Sequence, residues 1–155
     1  MKRGKVAFCA HRTCFYNDYS ECEIIKEILK LYKIYNTIDF YFTNATFYDF
    51  CARKLVKELK SLGLVNCRTL FVAATNTNVI YEKCEDFDAV IYPENKKNFS
   101  KYSESVRDMW IVFNVDVLIC DVHKSYGDAS DILACAELMK SRRGKPEIIN
   151  LAKKR

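Results

Sequence analysis

The chain has 155 residues, half of them apolar, with 25 basic against 20 acidic side chains. That length suffices for one domain whose core needs neither a disulfide nor a metal, and no apolar run is long enough to span a bilayer. The positive excess sits at the ends: without Lys2, Arg3, Lys5, Lys153, Lys154 and Arg155 the body is close to balanced, which excludes a polyanion-binding surface over the body and disfavours nucleic acid as a partner.

The segment Met1 to Lys5 runs straight into a strand pattern rather than a signal-peptide core, so a cytoplasmic protein that does not engage membranes is expected. The eight cysteines include no C-x-x-C pair, and most fall inside apolar strand or helix patterns. They are expected to be reduced and structural, with no metal bound, Cys9 and Cys14 being the two worth following.

Lys5 to Ala10 is a nearly continuous apolar run, the pattern of a central strand covered on both faces. Ser20 and Glu23 read as a capping box, which puts the start of the first helix at about Ser20, with Ile24, Ile28, Leu31 and Tyr35 on its stripe. Ile38 to Phe42 is a second strand. Thr43 to Thr46 opens a second helix that carries Tyr48, Cys51, Ala52, Leu55, Leu59 and Leu62 at three- and four-residue steps and is closed by Gly63. Thr69 to Ala74 reads as a third strand, followed by the polar segment Thr75 to Asn78, and Asp88 to Tyr92 as a short fourth stopped by Pro93.

Asn98 to Phe113 has helical periodicity with Phe99, Tyr102, Val106, Met109 and Phe113 expected inward, and the same helix carries Arg107, Asp108 and Trp110. Asp116 to Val122 is another buried strand. It leads through His123 to Ala129 into a helix with Ile132, Leu133, Ala136 and Met139 inward, ended by Gly144 and Pro146, and Glu147 to Leu151 is the last strand. Lys140, Arg142, Arg143 and Lys145 suit the negative end of that helix.

Strands alternating with helices at this spacing predict a single α/β domain: a three-layer Rossmann-like fold, with a parallel sheet, right-handed crossovers and helices on both faces. Ligands of such sheets sit beyond the C-terminal strand ends. Cys9 to Arg12, Thr43 to Thr46, Thr75 to Asn78 and Lys124 to Ala129 should therefore share one rim, and the basic clusters, which precede strands, the opposite edge.

At that rim Cys9 and Ala10 end the first strand, and Arg12 could fork two hydrogen bonds to a phosphate while His11 adds a third. The alternative pairs Arg12 with a helix carboxylate and lets His11 cap a loop. Thr43, Asn44, Ala45 and Thr46 offer hydroxyls and a helix N-terminus to an anion, against ordinary capping by Thr46 and Asn44. Asp49 either complements the helix dipole or holds a ribose hydroxyl. Ser125, Tyr126, Gly127, Asp128 and Ala129 form a strand-to-helix turn where Gly127 admits close backbone approach and Tyr126 could stack on a base, unless it is a plain turn capped by Asp128. GxGxxG, Walker, HxxxH and GxSxG patterns are missing, which disfavours a dehydrogenase, P-loop ATPase, zinc hydrolase or serine hydrolase; no cofactor is expected.

The order Val6 to Arg12, Phe40 to Asp49, Arg107 to Trp110, Val115 to Cys120 leading to Ser125 to Ala129, then Gly144 to Leu151, resembles the SLOG superfamily of Rossmann-like nucleotide-binding proteins, in particular its small single-domain members. The likeness spans nearly the whole chain, and His11, Arg12, Tyr48, Asp49, Ser125, Gly127 and Ala129 match the family pattern. Ala10, Thr43, Asn44, Thr46 and Asp128 stand where the family has glycine, each adding a side chain where a phosphate would approach the backbone. The family's phosphoribohydrolases place a glutamate where this chain has about Ala134, with Asp131 the nearest acid.

The resemblance implies a protein that binds a small nucleotide or ADP-ribose-like ligand, as a sensor or sequestering protein with little or no catalysis. One alternative is a nucleotide N-glycosidase or phosphoribohydrolase using Asp131 or Asp49. Another is a protein-interaction module whose pocket is filled by Thr43, Asn44 and Tyr126. Trp110 and Phe113 are candidate homodimer contacts, with core packing as the alternative.

Overall fold

A computed structural model describes residues 2–43, 46–74, 86–93 and 103–155. Over these residues the elements are β1 (Arg3–Ala10), α1 (Asp18–Leu31), β2 (Thr37–Phe42), α2 (Phe47–Ser61), β3 (Cys67–Val72) and β4 (Ala89–Ile91), then α3 (Ser103–Asn114), β5 (Val117–Asp121), α4 (Asp128–Arg143) and β6 (Glu147–Asn150), with a closing 3-10 turn at Leu151–Lys154. The strands form one six-stranded sheet in the order β4-β3-β2-β1-β5-β6, and every neighbouring pair is parallel.

The central position of β1 explains its composition. Val6 is in register with Phe40 of β2 on one side and Val117 of β5 on the other. Because side chains alternate along a strand, Val6, Phe8 and Ala10 enter the core shared with α1 and α2, whereas Ala7 and Cys9 enter the core shared with α3 and α4. Helices therefore cover both faces, and the three-layer Rossmann-like α/β fold follows. Among the described residues no helix is long and apolar enough to cross a membrane.

Several local expectations are corrected. The first helix begins at Asp18, and its capping box pairs Asn17 with Ser20: the Asn17 side chain accepts from the Ser20 N–H at 3.0 Å and the Ser20 hydroxyl from the Asn17 N–H at 3.4 Å. Asn17 caps as well as serine does, and the register it sets buries Ser20 and releases Glu23 to bind Arg155. The third strand is Cys67–Val72, two residues earlier than expected at each end, and the last strand stops at Asn150. There the Asn150 side chain turns back on Val122, accepting from its N–H and donating to its carbonyl, and also caps the 3-10 turn through Ala152.

The helix α3 is turned relative to its expected face. Val106, Met109 and Phe113 are exposed, and Arg107, Ile111, Val112 and the following Val115 are buried. Two stripes about one residue apart are both compatible with the helical period, and the structure uses the one that carries Arg107. Trp110 is half-buried, 6.0 Å from the Tyr41 ring, so it packs on the sheet, while Phe113 is 46% exposed beneath the Arg143 guanidinium. Thr75 to Asn78, Asn98, Phe99 and Tyr102 lie outside the described residues.

Candidate functional site

The chain leaves β1 toward α1 on one face of the sheet and leaves β5 toward α4 on the other, although β1 and β5 are neighbours. Divergence of adjacent connections opens a crevice at the C-terminal strand ends. A cavity of about 310 Å³ lies there. Phe8, Ile111, Leu118 and Ile132 give it apolar walls, and the polar lining comes from the end of β1, the start of α2, the buried side of α3 and the β5–α4 turn.

The inner wall is built on Asp49. Thr46 is the N-cap of α2, its hydroxyl accepting from the Asp49 N–H at 3.1 Å, and this fixes the Asp49 backbone in the first turn. Thr43 Oγ1 donates to the Asp49 carboxylate at 2.6 Å. Burial pushes the Asp49 pKa up to about 7, an effect opposed by the Thr43 hydroxyl and the Arg107 guanidinium. Arg107 is only 3% exposed, and its Nε and Nη2 both donate to Asp108 Oδ1, at 3.1 and 3.0 Å. Burial also raises the pKa of Asp108, again against the pull of Arg107.

The mouth is more open. Arg12 Nη2 lies 3.9 Å from both Glu104 Oε2 and Asp128 Oδ2, and the Arg12 side chain is 67% exposed. Lys124 Nζ donates to Thr13 Oγ1 at 3.1 Å and stands 5.8 Å from the centre of the Tyr126 ring, itself 68% exposed. His11 spends Nε2 on the Lys124 backbone, accepting its N–H at 3.1 Å, and packs edge-on to His123. Its pKa is lowered, by burial first and then by His123 and Lys124, so the ring is the neutral acceptor this bond requires. Cys9 is a buried thiol whose pKa burial raises well above the usual value, and it donates to the Ala129 carbonyl. The helix α4 starts from Gly127 at φ 94°, a conformation that side chains resist, and among the described residues no side-chain cap is made at that N-cap. Asp128 is the first helical residue, not the cap of the plain-turn alternative.

Of the rim residues read from the sequence, Cys9, Ala10, His11, Arg12, Thr43, Thr46, Asp49, Tyr126, Gly127, Asp128 and Ala129 all line the cavity. Ser125 is exposed and not part of the lining; Asn44 and Ala45 lie outside the described residues. The acid Asp131 and Ala134 are exposed on α4 and also do not line it. Arg12 and His11 both hold the local partners of their alternative reading, a helix carboxylate and a loop. Sequence reasoning missed the contribution of α3, namely Glu104, Arg107 and Asp108; the available signal was a charged pair in the middle of an otherwise amphipathic helix. No family model matches the chain, and no curated protein matches it.

Proposed function

We propose that this protein binds a small nucleotide-derived ligand at the C-terminal rim of the sheet, as a sensor or sequestering protein rather than an efficient enzyme. The observation that carries the reading is the cavity at the β1–β5 crevice, whose mouth has Arg12, Lys124 and the uncapped N-terminus of α4, and whose interior has a hydroxyl-binding acid. A phosphate at the mouth meets Arg12, Lys124 and backbone N–H groups. The ribose then faces Asp49 and the Thr43 hydroxyl, and a base packs on the apolar wall or on Tyr126. The resemblance to the SLOG superfamily supports the same ligand class and the same rim.

Calorimetry against nucleosides, their mono- and diphosphates, cyclic nucleotides and ADP-ribose tests the proposal. At least one should bind, and Arg12→Ala should weaken it by about tenfold, the loss of roughly one charge-assisted contact. Binding that Arg12→Ala leaves unchanged counts against the phosphate position, and silence across the panel counts against the function.

A second reading has one observation in its favour. Asp49, unlike Asp131, lines the cavity, and a carboxyl poised near neutrality suits general acid or base work in N-glycoside cleavage. Release of free base from a bound nucleotide, abolished by Asp49→Asn, would move the assignment from binding protein to hydrolase. The interaction-module reading draws less support, since Thr43 and the exposed Tyr126 line the cavity without filling it, Asn44 lying outside the described residues.

A further inference from the structure

We propose that a single water molecule is bound where the first turn of α2 meets the end of β5, accepting a hydrogen bond from the Tyr48 hydroxyl and donating one to the Asp121 carboxylate. Neither residue lines the cavity, so this site is distinct from the ligand site proposed above. Tyr48 is 1% exposed, and among the described residues its hydroxyl makes no hydrogen bond. A buried hydroxyl left unmet is costly, whereas phenylalanine would fill the same core without that cost. The Tyr48 oxygen therefore needs a partner from outside the chain.

The surroundings identify the acceptor. Burial holds the Tyr48 pKa above its ordinary value, and the groups whose charge adds to this are Asp121 first, then Cys14, Tyr16 and Cys120. The phenol is thus a neutral donor near a carboxylate with which it makes no direct bond. Asp121 is fully buried, with Arg155 Nη2 at 2.8 Å from Oδ2 and Nη1 at 3.4 Å from Oδ1. An ionised carboxylate offers about four lone-pair sites, so acceptor capacity remains after Arg155. A neighbouring donor and acceptor that do not bond directly are the setting in which a bridging water belongs. The loop between β1 and α1 brings Cys14 and Tyr16 against the core that contains Tyr48. Burial, and then Asp121, push the Cys14 thiol up to about 11, so it stays protonated and its sulfur is a weak acceptor for the second O–H of the water. Two or three such partners suffice for an internal water. Tyr16 closes the site, its ring edge-on to Tyr48 with centroids 5.5 Å apart. Its own hydroxyl, also without a hydrogen bond, belongs to different surroundings: beyond burial, the groups that act on it are Glu21 and Cys51.

The test joins crystal structures of the full chain and of its Tyr48→Phe and Tyr16→Phe variants to urea unfolding of all three. The wild-type structure should show an ordered water at hydrogen-bond distance, about 2.6 to 3.0 Å, from both Tyr48 Oη and an Asp121 carboxylate oxygen. Tyr48→Phe should lose that water and raise the unfolding equilibrium constant about fivefold, the loss of one bridged hydrogen bond. Tyr16→Phe should keep the water in place. An unmet hydroxyl predicts the opposite sign, because removing it relieves the burial cost: a Tyr48→Phe variant as stable as the wild type, or more stable, overturns the proposal. So does a wild-type structure in which Tyr48 Oη bonds a protein group directly, or in which no water joins it to Asp121. A water lost from Tyr16→Phe and kept in Tyr48→Phe also overturns it. Should Tyr48→Phe fail to fold, the wild-type structure alone decides between the two outcomes.

Discussion

Asp49 is a carboxyl in the first turn of α2, buried against Thr43, with a pKa near 7 where an aspartate is ordinarily near 3.8. The folded state therefore holds this proton more tightly than the unfolded chain does. Its contribution to stability is complete below about pH 4 and is lost as the pH rises to about 7, where the buried carboxylate must ionise. Asp49→Asn should remove that loss. At pH 8 the variant should be more stable than the wild type by on the order of 2 to 4 kcal/mol, with the advantage vanishing toward pH 4, as urea titrations at both pH values will read. A variant less stable at pH 8 would mean that the carboxylate is better solvated than its burial indicates. The position of Asp49 was legible in the sequence through Thr46, a cap three residues before it. Its burial was not, because the wall it shares with Arg107 of α3 is assembled from segments distant in the chain.

At the scale of elements, the strands and helices were legible because each carries a period that only one structure satisfies. The run from Val6 to Ala10 alternates between two apolar faces, which requires helices above and below. In α3 the pattern was ambiguous: Val106, Met109 and Phe113 make as good a stripe as Arg107, Ile111 and Val115, and apolar content favours the first. The structure turns Arg107 inward, where the adjacent Asp108 holds it and it shares the cavity wall with Asp49 of α2, a juxtaposition of distant segments that no local period encodes. Strand β1 offers a sharper test of packing. A Cβ on Gly4 would lie 2.6 to 2.8 Å from the Tyr35 ring, which closes over the strand beneath the Lys2 ammonium. Gly4→Ala should cost about 1 to 2 kcal/mol as the ring is displaced, whereas the intrinsic preference of a strand for alanine over glycine points the other way. Thermal denaturation decides which of the two prevails, and a stabilised variant would show that Tyr35 moves aside freely.

Over the whole molecule, Arg155 ties three parts of the fold together. Arg155 Nη2 donates to Asp121 Oδ2 at 2.8 Å and to Glu23 Oε1 at 2.9 Å, joining the 3-10 turn to the end of β5 and to α1. Asp121 is fully buried, so Arg155→Met should leave it without its cation and cost about 2 kcal/mol, less than for an enclosed pair because the arginine itself is partly exposed. Equilibrium unfolding measures this, and an Arg155→Lys variant should recover part of the loss. The strand order has a further consequence, for the time course of folding. The cavity opens between β1 and β5, whose partners stand 111 residues apart at the Lys5 to Asp116 bond, so its second wall is made long after its first. Strands β1, β2 and β3 can pair as they emerge; the cavity cannot exist until β5 has come back beside β1, so any binding there should follow, not precede, the pairing of the first three strands.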